Sequence, residues 1–180
     1  MYFDKQQLSE NIINITKSPL VYKKINEKGI SLFAKKTIKK GNPIIIYYGD
    51  LKDKNEIYNE YINDRENYIK NIAPYIRDIN DSKIVNGIGY LDNENLNLCG
   101  VLVNDYCCIS KDDKTEMLKY IESKKNCNVE IIETNDFPIY YSTQKIKKDE
   151  EICAHYGIGY WLLQLGIDAD KIKDKINEII

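Results

Sequence analysis

The sequence predicts one mostly β domain of the α+β class, with several small β-sheets, a helical insert and a C-terminal helix. Short apolar runs alternate with turn residues along most of the chain, which is typical of strands. Apolar residues recur every three or four positions in residues 50–80 and in residues 168–180, which is typical of amphipathic helices. A chain of 180 residues is long enough to form one domain with its own core.

The composition, with 43% hydrophobic and 30% charged residues, is typical of a globular protein. The five cysteines include no C-x-x-C pair, so we expect reduced thiols, no metal site and an intracellular protein. The formal net charge of −2 predicts no direct nucleic-acid partner and suits a basic partner better. We also expect no membrane span and no secretory signal, because no basic segment followed by an apolar run begins the chain.

The first part of the chain is predicted to be an extension followed by a compact β unit. Residues 1–19 hold a short amphipathic pattern that ends at Ser18-Pro19. Strand-like runs follow in residues 20–28 and 29–34. The uninterrupted apolar run Ile44 to Tyr48 predicts a strand that is buried on both faces. The turn residues of this unit are predicted at the glycines Gly29, Gly41 and Gly49.

The middle of the chain is predicted to be a helical insert at about 50–80, which Pro74 interrupts or ends. Short strands and loops are expected again at 84–87 and 100–105. Residues 111–125 are polar with a few apolar positions, which predicts a short surface helix.

The stretch Asn126 to Trp161 is predicted to contain paired strands. Its apolar runs 129–132 and 139–146 are separated by the turn residues Thr134 to Asp136. The stretch ends in Tyr156-Gly157, and Tyr160-Trp161 follow closely. The last helix spans residues 168–180, with Asp168 as its candidate N-cap.

Several separated segments match one known family in order and spacing, over roughly residues 20–161. In chain order they are Gly29–Ala34, Ile38–Gly41, Tyr47–Gly49, Gly100–Asp105, Cys127–Glu130, Ile146–Gly157 and Tyr160-Trp161. The family's patterns there are G-x-G-L-F-A, I-x-x-G, Y-x-G, R-F-I-N-H-S, an asparagine strand, I-x-x-G-E-E-I-x-x-x-Y-G and Y-W. Together these segments resemble the SET-domain protein lysine methyltransferases, and in particular small, stand-alone, virus- or protist-like members without a cysteine-rich post-SET segment.

The resemblance implies a domain division and three departures from the family pattern. The SET domain would span 20–161, with inserts at about 50–80 and 107–125, an extension at 1–19 and a C-terminal helix at 162–180. Ser31 replaces a glycine, Asp105 replaces a histidine, and Asp149 replaces a turn glycine. Asp tolerates a left-handed turn better than most residues, so we expect the fold to survive at Asp149.

The activity that the resemblance implies is S-adenosylmethionine-dependent methylation of a protein lysine. Such a reaction needs a neutral amine, whereas free Lys has a pKa of about 10.4. A narrow aromatic channel disfavours the ammonium by desolvation, so no strong general base is required. The default substrate is a basic, extended segment such as a histone tail, which would place the protein in the nucleus, or in a host nucleus if it is viral. Another protein substrate would place it in the cytoplasm.

The resemblance also assigns site residues. Tyr156 matches the catalytic tyrosine, Tyr47 matches the channel tyrosine of Y-x-G, and Tyr160 is expected to line the channel. The expected cofactor contacts are Gly29, Ser31, Leu32, Phe33, Asn104, Asp105, Asn128 and Trp161. Asn126 is an alternative to Asn128, and core packing is an alternative role for Tyr47 and Trp161.

Two further alternatives stay open on the sequence alone. The three departures from the family pattern are compatible with a SET fold that has lost methyl transfer and keeps only peptide or partner binding. The apolar face of the last helix offers a surface for a homodimer, but the same face can pack within the chain.

Overall fold

The computed structural model describes residues 20–27, 29–90, 100–134 and 137–179. Within these residues, ten short strands form four small sheets, and α-helices are found in the insert and in the C-terminal half. This architecture confirms the predicted mostly β, α+β fold. The extension 1–19 and two residues of the turn predicted at 134–136 lie outside the described residues.

The domain begins with an antiparallel hairpin of β1 (Val21–Asn26) and β2 (Gly29–Ala34). Gly29 at its turn has a φ of +91°, a left-handed conformation that glycine adopts without steric cost. Gly41 also has a positive φ, of +83°. Both glycines are therefore turn residues, as predicted.

A three-stranded antiparallel sheet forms the centre of the core. Its order is β3 (Pro43–Ile46), β9 (Ile139–Ser142) and β8 (Val129–Ile132), so β8 is an outer strand. Ile44, Ile45 and Ile46 are all buried, which confirms that this strand is covered on both faces. The pairing of β8 with β9 confirms the paired strands predicted in the Asn126 to Trp161 stretch.

The insert is helical only in its middle. Its helices are α1 (Lys54–Asn63) and α2 (Arg65–Asn67), followed by a π-helical turn at Tyr68–Ile72 and a 3-10 turn at Ala73–Tyr75 that contains Pro74. The ends are strands, because β4 (Asp50–Asp53) and β5 (Ile76–Asp78) flank β6 (Lys83–Asn86) in an antiparallel sheet.

Gly49 precedes β4 and is required by close packing rather than by a left-handed turn. A Cβ atom at Gly49 would collide with the backbone carbonyl group of Asn86 and come within 2.7 Å of Val85 Cγ2. The prediction that Gly49 is needed as a turn residue was therefore wrong, because the close approach of Asn86 is what requires a glycine here.

The two-residue strands β7 (Asn104–Asp105) and β10 (Cys153–Ala154) pair in parallel. This short pairing places the Asn104-Asp105 segment beside the backbone that leads directly into Tyr156. Two of the predicted motifs, about fifty residues apart in sequence, therefore meet through two backbone pairs.

A helical layer covers this pairing. It consists of α3 (Lys114–Ser123), α4 (Ile158–Gln164) and α5 (Ile172–Ile179), which share an apolar cluster. The short surface helix predicted at 111–125 is confirmed as α3, which packs on this cluster through the buried Met117 and Tyr120 and leaves Leu118 40% exposed. None of the helices in the described part of the chain has the length and apolar character that crossing a bilayer requires.

The last helix differs from its prediction in start and capping. It begins at Ile172, after a 3-10 turn at Ala169–Lys171, and the Asp168 side chain makes no capping hydrogen bond. Asp168 instead forms an ion pair with Arg65, at 2.6 Å. The apolar face of α5 packs within the chain, so it is not available as the dimer interface. The homodimer itself stays a prediction.

Candidate active site

Tyr156 is fixed at both ends by the segment around β7. Its backbone N–H donates to Asp105 Oδ2 at 3.1 Å, and its hydroxyl donates to the backbone oxygen of Val103 at 2.6 Å. Both partners lie beside Tyr156 because β7 and β10 pair in parallel. The phenol therefore has one defined position, which a positioning role in catalysis requires.

Tyr156 lines two cavities. The first cavity, of about 670 Å³, is lined by Glu27, Ile30, Pro74, Tyr75, Val101, Leu102, Asn104, Asp105, Cys107, Cys108, Tyr156, Tyr160 and Trp161. The second cavity, of about 930 Å³, is lined by residues of α3, β8, β9 and β10 together with Arg77 and Tyr156. Among these lining residues Tyr156 is the one that the two cavities share. Tyr156 therefore borders both cavities.

The carboxylate of Asp105 organises the wall of the first cavity. Besides the N–H of Tyr156, its Oδ2 accepts hydrogen bonds from the Tyr120 hydroxyl at 2.5 Å and from Trp161 Nε1–H at 2.9 Å. Burial, together with the hydrogen bond to Asp105, raises the pKa of Tyr120 far above that of a free phenol. Tyr120 thus stays protonated and donates, which suits an aspartate in the position where the family pattern has histidine.

The side chain of Asn104 connects the first hairpin to β7. Its Nδ2 donates to Ser31 Oγ at 2.7 Å and to the backbone oxygen of Ile30 at 3.2 Å. Ser31 is fully buried, and its hydroxyl donates to Asn26 Oδ1 at 3.1 Å. The serine that replaces the family's glycine is therefore a satisfied hydrogen-bonding residue in the wall behind the cavity.

Aromatic rings and one arginine surround Tyr156. The Tyr160 ring stands edge-on to the Tyr156 ring, with ring centroids 5.0 Å apart. The ring centroids of Tyr47 and Tyr140 are 6.5 Å apart. The guanidinium carbon of Arg77 lies 4.9 Å from the centroid of the Tyr156 ring and 5.3 Å from that of Tyr47. This group of Tyr47, Tyr140, Tyr156 and Arg77 is called the tyrosine cluster below.

The electrostatics of this cluster keep the phenol of Tyr156 neutral. Burial raises its pKa well above the value of a free tyrosine, and neighbouring Tyr140 raises it further, whereas Arg77 acts in the opposite direction. The pKa of Tyr160 is also raised by burial, again opposed by Arg77. Tyr156 is therefore a hydrogen-bonding and positioning group at neutral pH.

The structure brings some of the predicted cofactor contacts together and leaves others apart. Asn104, Asp105 and Trp161 line the first cavity. Tyr160, which the resemblance assigns to the channel, lines the first cavity as well. The predicted contacts that do not line it are Gly29, Ser31, Leu32, Phe33 and Asn128. From the segment 29–33 the lining residue is Ile30, which is 40% exposed near the start of β2, whereas Leu32 on the same face of the strand is fully buried in the core.

Asn128 has a structural position. Its Oδ1 accepts a hydrogen bond from the backbone N–H of Cys153 at 3.0 Å, and its Nδ2 donates one to the backbone oxygen of Glu151 at 2.7 Å. It is 3% exposed, so this asparagine joins the start of β8 to β10 rather than facing the first cavity. The alternative, Asn126, lies in a 3-10 turn at Lys124–Asn126.

The turn at Asp149 is left-handed, as expected. Its φ is +65°, its N–H donates to the Ala34 oxygen at 2.8 Å, and its carboxylate accepts from the Tyr22 hydroxyl at 3.1 Å. The aspartate in place of glycine therefore keeps the turn that directs the chain toward Tyr156.

Sequence reasoning missed several residues around the site. Arg77 and Tyr140 complete the tyrosine cluster, Tyr120 supports Asp105, and Cys107 and Cys108 line the first cavity. One signal was present for Arg77, because it is one of two arginines in a chain whose other basic residues are lysines.

The arrangement places one half-buried, doubly hydrogen-bonded tyrosine in the lining of both cavities. The family model for the SET domain matches residues 29–157, which is well over half of the chain. The chain therefore belongs to the SET domain family, a family of the lysine methyltransferase type. A search of curated proteins finds no match to this chain.

Proposed function

We propose that the protein is an S-adenosylmethionine-dependent protein lysine N-methyltransferase. The observation that supports this most directly is the position of Tyr156, in the lining of two cavities in a SET-family chain. Transfer between two bound molecules needs the donor and the acceptor to meet in one defined geometry, and a half-buried, doubly hydrogen-bonded tyrosine provides a fixed reference for it.

The residues of the first cavity fit the proposed cofactor. A volume of about 670 Å³ lies within the ordinary range for small-molecule sites. The ring faces of Trp161 and Tyr160 suit a purine, and Asn104, Asp105 and Glu27 provide polar groups around the same space. When bound, S-adenosylmethionine supplies an electrophilic methyl group on a sulfonium.

The tyrosine cluster would serve the acceptor amine. Entry into the cluster removes water from the amine, and this desolvation favours the neutral, nucleophilic form of an entering lysine. The phenol of Tyr156, held on the oxygen of Val103, orients the amine lone pair by weak polar contacts. Because the phenol remains protonated, solvent must take the proton that the lysine loses.

The second cavity is the proposed entry for a basic, extended segment such as a histone tail. The outer strand β8 lines it with Val129, Glu130 and Ile131, so an extended peptide can add to that edge. Arg77, at the end of the insert, lines the same cavity, which fits a substrate groove formed partly by residues 50–80. Histone methylation would place the protein in the nucleus, and modification of another protein would place it elsewhere in the cell.

The test is transfer of a labelled methyl group to core histones and to proteins of a cell lysate. We expect Tyr156→Phe to reduce the rate by about 100-fold, because the hydroxyl that positions the amine is lost. Tyr58→Phe is the matched control, because Tyr58 is 61% exposed on α1. Absence of any labelled protein under saturating cofactor would contradict the proposal.

A second candidate function is a SET-fold module that binds a basic peptide without transfer. The position of the Arg77 guanidinium over the rings of Tyr47 and Tyr156 favours it, because the channel then holds a cation of the chain itself. Calorimetric titration with S-adenosylmethionine separates the two candidates. A chain that does not bind the cofactor can only be a binding module.

A further inference from the structure

Arg77 reaches the acceptor side of the site from the edge of a sheet. It lies in β5, opposite Val85 of β6, and its half-buried side chain lines the second cavity together with Tyr140 and Tyr156. One guanidinium nitrogen, Nη1, donates to the backbone oxygen of Ile76 at 2.6 Å. The side chain is therefore folded back along its own strand and held within the tyrosine cluster.

The guanidinium occupies aromatic faces. Its central carbon is 4.9 Å from the centroid of Tyr156 and 5.3 Å from that of Tyr47, which are cation–π distances. The phenol of Tyr140 also faces this cation. The three tyrosines of the cluster thus already bind one cation, the guanidinium of Arg77 in the same chain.

A lysine that enters from the second cavity needs the same place. To approach the first cavity from the second, its alkyl stem and amine must pass the ring of Tyr156, the lining residue that both cavities share and beside which the guanidinium lies. A second cation in this space is repelled by the first, and the rings cannot cover both groups at van der Waals distance. The lysine and Arg77 therefore exclude each other.

We propose that Arg77 is an internal competitor that occupies the acceptor position of the channel and must be displaced by the substrate lysine. The inference rests on the proposed function for its consequence in catalysis. Displacement is feasible because Arg77 has a long flexible stem and lies on an outer strand. Besides the backbone oxygen of Ile76, its guanidinium is held by the phenol of Tyr140 and by two ring faces, which an entering cation can contact in its place. Acceptors are thereby selected by how well their lysine replaces the guanidinium.

The first experiment measures binding and transfer with Arg77→Met, which keeps an apolar stem and removes the charge. The probes are a labelled lysine-containing histone-tail peptide for affinity and core histones for transfer. We expect the peptide affinity to rise at least fivefold and kcat/KM to rise through a lower KM, because the competitor is gone. The matched control is Arg65→Met, since Arg65, the other arginine, pairs with Asp168 and with the Gly166 oxygen instead.

The second experiment uses Arg77→Lys, which places an amine where the guanidinium was. With S-adenosylmethionine present, the amine lone pair attacks the sulfonium methyl carbon, the carbon–sulfur bond breaks with its electron pair going to sulfur, and the new ammonium loses its proton to solvent. We expect mass spectrometry to find methylation at position 77 in this variant, in cis and independent of protein concentration. The wild-type chain should carry none there.

The outcomes separate this inference from the proposed function. If the wild type transfers no methyl group to any protein, the proposed function fails, and the peptide-binding arm still decides whether Arg77 competes for the cluster. If folded Arg77→Met binds the peptide no more tightly than Arg65→Met, the inference is overturned, whatever the transfer assay gives. If Arg77→Met does not fold, an unmodified lysine at position 77 in a transfer-active Arg77→Lys chain overturns it instead.

Discussion

At the scale of single residues, Asp105 connects the parts of the site. One carboxylate oxygen accepts from the backbone of Tyr156, from the phenol of Tyr120 and from the indole of Trp161. These donors lie 51, 15 and 56 residues away in sequence. Hydrogen bonds to a buried charged group are stronger than neutral ones, so this oxygen fixes the tyrosine and the cavity wall together.

Replacing this carboxylate is expected to weaken the fold and the site at once. Asp105→Asn removes the charge that three donors share, so the oxygen that replaces Oδ2 accepts from them only as a neutral group, which weakens each hydrogen bond. We expect the free energy of unfolding in urea to fall by about 2 kcal/mol. Asp81→Asn, at an exposed loop position, is the control and should leave the unfolding midpoint unchanged. Equal midpoints for the two variants would contradict the role of Asp105.

At the scale of elements, the sheet of β4, β5 and β6 determines how the insert presents Arg77. The backbone at Gly49 lies against Asn86 so closely that no side chain fits between them. This contact sets the start of β4, and the pairing of β6 with β5 then places Arg77 opposite Val85. The position of the guanidinium therefore depends on a glycine far from it in sequence.

Gly49→Ala is expected to destabilise this sheet. The added methyl group meets backbone atoms of Asn86, which cannot move without breaking the pairing of β4 with β6. We expect a loss of about 3 kcal/mol in the free energy of unfolding. Gly89→Ala serves as the control, because a Cβ at Gly89 has nothing within 4 Å. A melting temperature equal to that of the control would show that the sheet can relax around the methyl group.

The elements also show which features a sequence can predict. The strand at Ile44 to Ile46, the left-handed turns at Gly29 and Asp149 and the position of Tyr156 depend on local chemistry or on the motif order. The hydrogen bonds of Asp105 and the place of Arg77 depend on which distant segments meet, and no local pattern encodes that. The helix α3 was predicted from its apolar positions, but the burial of Tyr120 was not, because it depends on Asp105 as a hydrogen-bond partner.

At the scale of the whole molecule, two apolar clusters lie on either side of the site. The β core contains Tyr47, Tyr140 and Val103, and the helical cluster of α3, α4 and α5 contains Leu162 and Trp161. Asp105 connects the two clusters, because its donors come from Tyr156 beside the β core and from Trp161 and Tyr120 in the helical layer. The stability of the helical layer should therefore influence the first cavity.

This dependence can be tested at the end of the chain. Changing both Ile172 and Ile176 to alanine removes apolar contacts of α5 with the helical cluster. We expect the free energy of unfolding to fall by about 2 kcal/mol, together with weaker binding of S-adenosylmethionine in calorimetry. The matched control changes the exposed Lys173 and Asn177 of the same helix to alanine. Cofactor affinity that is equal in the two double variants would mean that α5 does not support the cavity.

The position of Tyr156 in the lining of two separate cavities has a consequence for turnover. In an enzyme with this geometry, the demethylated cofactor and the modified protein would leave by different cavities. Each could then dissociate while the other is still bound. One peptide can stay bound while successive cofactor molecules come and go, and several methyl groups can be added during a single encounter. Two kinetic observations would indicate this arrangement. Each product should inhibit whether or not the other has left, and multiply methylated lysine should appear without a lag after the reaction starts.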